Sequence, residues 1–121
     1  NAEKVVDYLS GHDKIDAVLY PGLENHPGHE VAGKQMKRYG GMVSVLVKGG
    51  LDAAKEFCAR TEVFTLAESL GGIESLIEHP GAMTHASTAG SLLEVPANLV
   101  RLSVGIEDID DLLGDLENAL R

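Results

Sequence analysis

The sequence predicts an α/β (α+β) domain in which a small, mostly antiparallel sheet is covered on one face by helices. Three observations lead there. Apolar residues at helical spacing stand at both ends of the chain: Ala2, Val5, Val6 and Leu9 first, and Ile109, Leu112, Leu113, Leu116 and Leu120 last. Between them lie short runs rich in β-branched residues, MVSVLV at 42–47 and LVRLSV at 99–104. Glycine and proline separate these runs at intervals that fit one element each.

The first helix is expected to end at Gly11. Residues 16–20, DAVLY, read as a strand closed by Pro21 and Gly22, followed by a proline-flanked loop through Gly28. A second helix is expected over 29–38, stopped by Gly40 and Gly41, and a buried strand over 42–47. Gly49 and Gly50 turn the chain into a third helix, 51–60, with Leu51, Ala54 and Phe57 inward. A short strand near 62–66 and another over 75–78, stopped by Pro80, are followed by an open loop over 81–97. In the strand at 99–104, Leu99, Arg101 and Ser103 face one way and Val100, Leu102 and Val104 the other. The last helix runs over 107–120, its acidic first turn set at the positive end of the helix dipole. The total is three or four strands with helices between them.

At 121 residues the chain is the size of one domain, so residues 1–121 are assigned to a single unit. With 44% apolar and 24% charged residues, a folded, soluble domain is expected. A formal net charge of -9 argues against a nucleic-acid surface, which needs clustered Lys and Arg. No apolar run approaches the roughly 18 residues of a membrane span, and the first residues lack the order of a secretory leader. The chain opens without Met inside a helical pattern, which reads as a fragment of a longer protein. The acids Glu107, Asp108, Asp110, Asp111, Asp115 and Glu117 read as a solvated helix face. The single cysteine, Cys58, sits among Phe57, Ala59 and Arg60 and reads as core packing; one cysteine fits a reducing compartment, and the cytoplasm is the expected location.

Few patterns carry chemistry. His26, His29 and Glu30 suggest a metal, but a zinc-protease helix needs His four residues after the first, and position 33 is Gly33. No other cluster has ligand spacing, so no metal is expected. There is no G-x-S-x-G nucleophile elbow. Arg101 stands out, because a guanidinium in the middle of an apolar strand needs a partner. Either it forms an ion pair or reaches water from the edge, or its planar fork grips a carboxylate. Ser69-Leu70-Gly71-Gly72 is a second candidate, either an ordinary turn or an approach for an anion to backbone N–H groups. Glu68 before it is a base, a cation partner or a solvated acid.

Three ordered segments carry a resemblance that covers nearly the whole chain. They are YPGLENHPGHEVAGKQM at 20–36 running on into Tyr39-Gly40-Gly41-Met42, FTLAESLGGIESLIEHPGAMTHAS at 64–87, and LVRLSVGIED at 99–108. Together they resemble the C-terminal part of the cystathionine gamma-synthase/gamma-lyase family. The resemblance implies the C-terminal, substrate-binding domain of an aspartate-aminotransferase-like fold (fold type I). It implies pyridoxal phosphate held by a larger N-terminal domain on a Schiff-base lysine, and assembly as a homotetramer. Arg101 matches the arginine that grips the substrate α-carboxylate, and Ser69 the serine beside it. Leu70 matches a residue offering backbone contacts, and Thr84 a loop residue near the substrate side chain. Glu68 matches the acidic residue before SLGG in the synthase and gamma-lyase branches, where a carboxylate can receive the distal amino group of cystathionine.

The implied activity is that of cystathionine gamma-synthase, joining an activated homoserine ester to cysteine. The alternatives are cystathionine gamma-lyase and a non-catalytic fragment or assembly module. None of Lys4, Lys14, Lys34, Lys37, Lys48 and Lys55 matches the family's Schiff-base lysine. The 121 residues alone are therefore expected to be inactive.

Overall fold

The computed structural model describes residues 1–121. Five helices and five strands follow in the order α1 (Ala2–Ser10), β1 (Ile15–Leu19), α2 (His29–Gln35), β2 (Met42–Val47), α3 (Gly50–Arg60), β3 (Thr65–Leu66), β4 (Leu76–Glu78), α4 (Pro80–Met83), β5 (Leu99–Ser103) and α5 (Ile109–Leu120). The strands form one sheet of order β1-β2-β5-β4-β3, antiparallel throughout except for the parallel β3–β4 pair. The expected fold class holds, with five strands rather than three or four.

Period-two alternation sorts the sheet into two faces. Val43, Val45 and Val47 of β2, Val100 and Leu102 of β5 and Ile77 of β4 point to one side and are buried. They share a core with Val5, Val6 and Leu9 of α1, Ala54, Phe57 and Cys58 of α3, and Leu112, Leu116 and Leu120 of α5. Each fully buried aliphatic or aromatic side chain contributes about 1.5–3 kcal/mol, which makes this layer the main source of stability. The entry into α3 depends on Gly49, whose φ of +99° is a backbone state few other residues adopt without strain.

Cys58 lies in this core. Burial pushes its thiol pKa up to about 12, and the nearby charge of Glu78 adds to the effect. The thiolate is the reactive form, so the native protein is expected to resist iodoacetamide at pH 8 and take up one equivalent once unfolded. Intact mass before and after denaturation checks this.

Several differences from the sequence reading have physical causes. Leu51, expected inward, is 40% exposed, because it stands on the first turn of α3, outside the shared core that Ala54 and Phe57 enter. The strand expected from residue 62 is confined to Thr65–Leu66, because Asp115 takes the amides of Glu62 (2.7 Å), Val63 (3.0 Å) and Phe64 (2.9 Å). Asp115 is thus buried and does not belong to a solvated helix face. The last helix starts at Ile109 rather than 107, since the Asp108 carboxylate caps it by accepting from the Asp110 amide at 2.9 Å. The segment read as an open loop contains α4 and a 3₁₀ turn at Ala86–Thr88. Pro80 opens α4 at the position where a missing N–H costs nothing, and His79 Nδ1 accepts from the Ala82 amide at 3.0 Å. The second helix stops at Gln35, because Met36 is already extended.

Candidate functional site

The face of the sheet away from the helices carries the polar residues. Antiparallel register places Ser44 of β2, Arg101 of β5 and Glu78 of β4 in one row across it. The alternation that buries Val100 and Leu102 turns Arg101 to this side, where its side chain retains 18% exposure. Arg101 Nη2 donates to Glu78 Oε2 at 2.6 Å. The same nitrogen reaches the backbone carbonyls of Ser69 (3.3 Å) and Glu68 (3.4 Å). Of the alternatives the sequence left open for Arg101, the ion pair is the one seen here, and the guanidinium also lies beside the serine–glycine turn. All three contacts leave from Nη2, which leaves the Nε and Nη1 hydrogens uncommitted.

The turn is tied down from β5. Ser103, two residues from Arg101 on the same side of its strand, accepts from the Gly71 amide at 2.8 Å. Gly71 has a φ of +76°, so the turn needs glycine there. Glu68, Ser69 and Leu70 are exposed, and the first two meet Arg101 through their carbonyls. Thr84 reaches the group indirectly. Its hydroxyl donates to Glu78 Oε1 and stands 2.7 Å from His85 Nδ1. The structure thus brings Arg101, the 68–69 backbone and Thr84 into one network, with Glu78 at its centre.

Below the turn, a second polar knot joins β4 to the exit of β5. Ser75 Oγ donates to Glu107 Oε2 (2.7 Å) and accepts from the Gly105 amide (2.8 Å), while the Ser75 amide donates to Glu107 Oε1 (2.5 Å). Burial is the largest influence on the Glu107 carboxyl and would raise its pKa. The two bonds from Ser75 and one from its own backbone outweigh that and hold it below the ordinary value. Glu107 therefore belongs to this knot and not to a solvated acidic face.

Glu78, Ser103 and the Ser75–Glu107 pair are the site residues that reading along the sequence missed. Antiparallel pairing of 76–78 with 101–103 would have set Glu78 opposite Arg101, but the pairing is not written in local pattern.

The family model described as Cys/Met metabolism PLP-dependent enzyme matches residues 1–121. The chain belongs to this family. It is 68% identical over 120 residues to a cystathionine gamma-synthase of Mycobacterium tuberculosis, covering 99% of this chain and 31% of that protein. A cystathionine gamma-lyase of Dictyostelium discoideum is 51% identical over 123 residues, covering 99% of this chain and 32% of that protein. The crystal structure of metB from Corynebacterium glutamicum superposes with a TM-score of 0.95 at 64% identity, over 98% of this chain and 31% of that one. The chain thus spans about a third of the length of the relatives it matches. Enzymes of the Cys/Met metabolism family depend on PLP and act on amino acids. Synthase and lyase share this region, so membership does not separate the two activities.

The residues around Arg101 include no amine that could hold the cofactor's aldehyde. All six lysines are exposed, and none lies on β4, β5 or the 68–72 turn. Lys34 pairs with Glu30 at 2.7 Å, and Lys48 bonds the Asp13 carbonyl at 2.8 Å. No lysine is placed to anchor an aldehyde beside Arg101. No helix is long and apolar enough to cross a membrane.

Proposed function

We propose that this chain is the C-terminal, substrate-binding domain of a transsulfuration enzyme with cystathionine gamma-synthase activity. Its substrates are an activated homoserine ester and cysteine, its product is cystathionine, and its assembly is a homotetramer. Pyridoxal phosphate and its lysine are assigned to polypeptide beyond these 121 residues, and the chain alone carries no activity. The observation that supports this reading is Arg101. Its guanidinium is fixed by a charged partner at one nitrogen and keeps donors free at the other two, in front of a glycine turn that lets a ligand come close. A carboxylate accepts hydrogen bonds from such a group with the geometry that fixes an amino acid's Cα.

In this reading Arg101 orients the α-carboxylate. Ser69 and Leu70 line the approach with hydroxyl and backbone, and Thr84 fixes the rim. The exposed Glu68 carboxylate receives a distal ammonium group. Identity of 68% to a synthase against 51% to a gamma-lyase supports the synthase branch.

Arg101→Lys in the full-length protein is the test. Lysine retains a positive charge for Glu78 but loses the planar fork. Its kcat/KM for the homoserine ester is expected to fall roughly 100-fold. A value near that of the unaltered protein would refute the role.

A further inference from the structure

We infer that Glu78 is a positioning residue for carboxylate recognition, holding the Arg101 guanidinium in the orientation that receives the substrate. The inference rests on the reading of Arg101 given above. Glu78 is 1% exposed, so its carboxylate cannot be kept in place by bulk water. Charge at such depth persists where each oxygen has a partner. One oxygen takes Arg101 Nη2 at 2.6 Å, and the other takes the Thr84 hydroxyl. The Thr84 oxygen has His85 Nδ1 at 2.7 Å as a second neighbour. Glu78 and Arg101 also face each other in register across the β4–β5 ladder, which fixes their Cα separation before either side chain moves.

These observations give Glu78 a task beyond neutralising charge. Arginine has four rotatable side-chain bonds, and a free guanidinium samples many orientations. A short ion pair at Nη2 removes that freedom and leaves the remaining donors uncommitted in a guanidinium held beside the 68–69 backbone. Preorganisation of this kind lowers the cost of binding a small ligand. Thr84 then acts through Glu78, and the 84–85 segment reaches the substrate carboxylate by way of the buried acid.

Glu78→Gln in the full-length protein tests this. Glutamine keeps the size and both hydrogen-bonding positions but removes the charge that grips Nη2. Inhibition constants are measured for homoserine and for its decarboxylated amine. The unaltered protein is expected to prefer homoserine, and Glu78→Gln to shrink that preference roughly tenfold while binding of the amine stays the same. General damage to the fold would weaken both probes equally, and that outcome overturns the inference, as does an unchanged preference.

Thr84→Val, which removes one partner of Glu78 and leaves the acid in place, is expected to move the preference in the same direction by less. It serves as the second variant if Glu78→Gln does not fold, and an unchanged preference in it then overturns the inference. Arg101→Lys is run beside them. If it abolishes the preference and Glu78→Gln does not alter it, only the positioning role fails. If Arg101→Lys leaves the preference intact, the carboxylate reading fails and the role of Glu78 with it.

Discussion

Asp115→Ala is expected to lower stability by about 4 kcal/mol, the sum of three backbone amides losing a charged acceptor at roughly 1–3 kcal/mol each, less what entering water recovers. The carboxylate lies 6% exposed on α5 and takes the amides of Glu62, Val63 and Phe64, so it supplies the hydrogen bonds that tie the link between α3 and β3 to the last helix. A domain of this size has about 5–15 kcal/mol in total, which makes the loss a large fraction of it. Urea unfolding followed by circular dichroism should show the midpoint falling by about 3 M, given a slope near 1.3 kcal/mol per molar. Asp115→Asn keeps one acceptor oxygen but turns an NH2 group toward an N–H donor, so it is expected to recover less than half of the loss. A shift below about 0.5 M for alanine would contradict this account.

Gly105→Ala is expected to cost about 3 kcal/mol, by collision rather than by lost bonds. A Cβ there would press on the Ile73 carbonyl oxygen, and would lie 2.6 Å from Glu107 Oε2 and 2.7 Å from the Glu74 carbonyl carbon. Two of these neighbours are backbone and cannot swing away. Relief requires moving the 73–75 segment, which breaks the Ile106 N–H bond to the Ile73 carbonyl (2.9 Å) and opens the Ser75–Glu107 knot. Thermal unfolding measures the loss. Gly114→Ala provides the contrast, because nothing lies within 4 Å of a Cβ at that helical position and it should not destabilise the protein. A Tm for Gly105→Ala equal to that of the unaltered protein would mean the segment yields freely.

The layers were legible in the sequence because alternation and helical spacing are local. Val43, Val45 and Val47, and Val100 and Leu102, announce their face without help from the rest of the chain. Arg101 was legible for the opposite reason, as a charge that broke such a pattern. Glu78, Asp115 and Glu107 were not. Each is an acid whose partner lies between 23 and 53 positions away, and acids in sequence look alike whether they are solvated or buried. Asp115 in particular sits on a helix of many acids, and only the fold singles it out. The Ser69–Gly72 turn stood out by its glycines, but its role, and Thr84 altogether, came from resemblance, since a hydroxyl in a loop has no pattern of its own. Thr84 then proved to be joined to Arg101 through Glu78.

The borders of the sheet have a bearing on how the molecule behaves among its neighbours. At one border β3 is two residues long, too short to recruit a foreign strand. At the other, β1 pairs with β2 through a register break between Ile15 and Ala17, and it bears the exposed acid Asp16. A kinked, charged margin on one side and a stub on the other discourage the edge-to-edge stacking that leads to fibres, so concentrated solutions of the folded chain should stay clear of it.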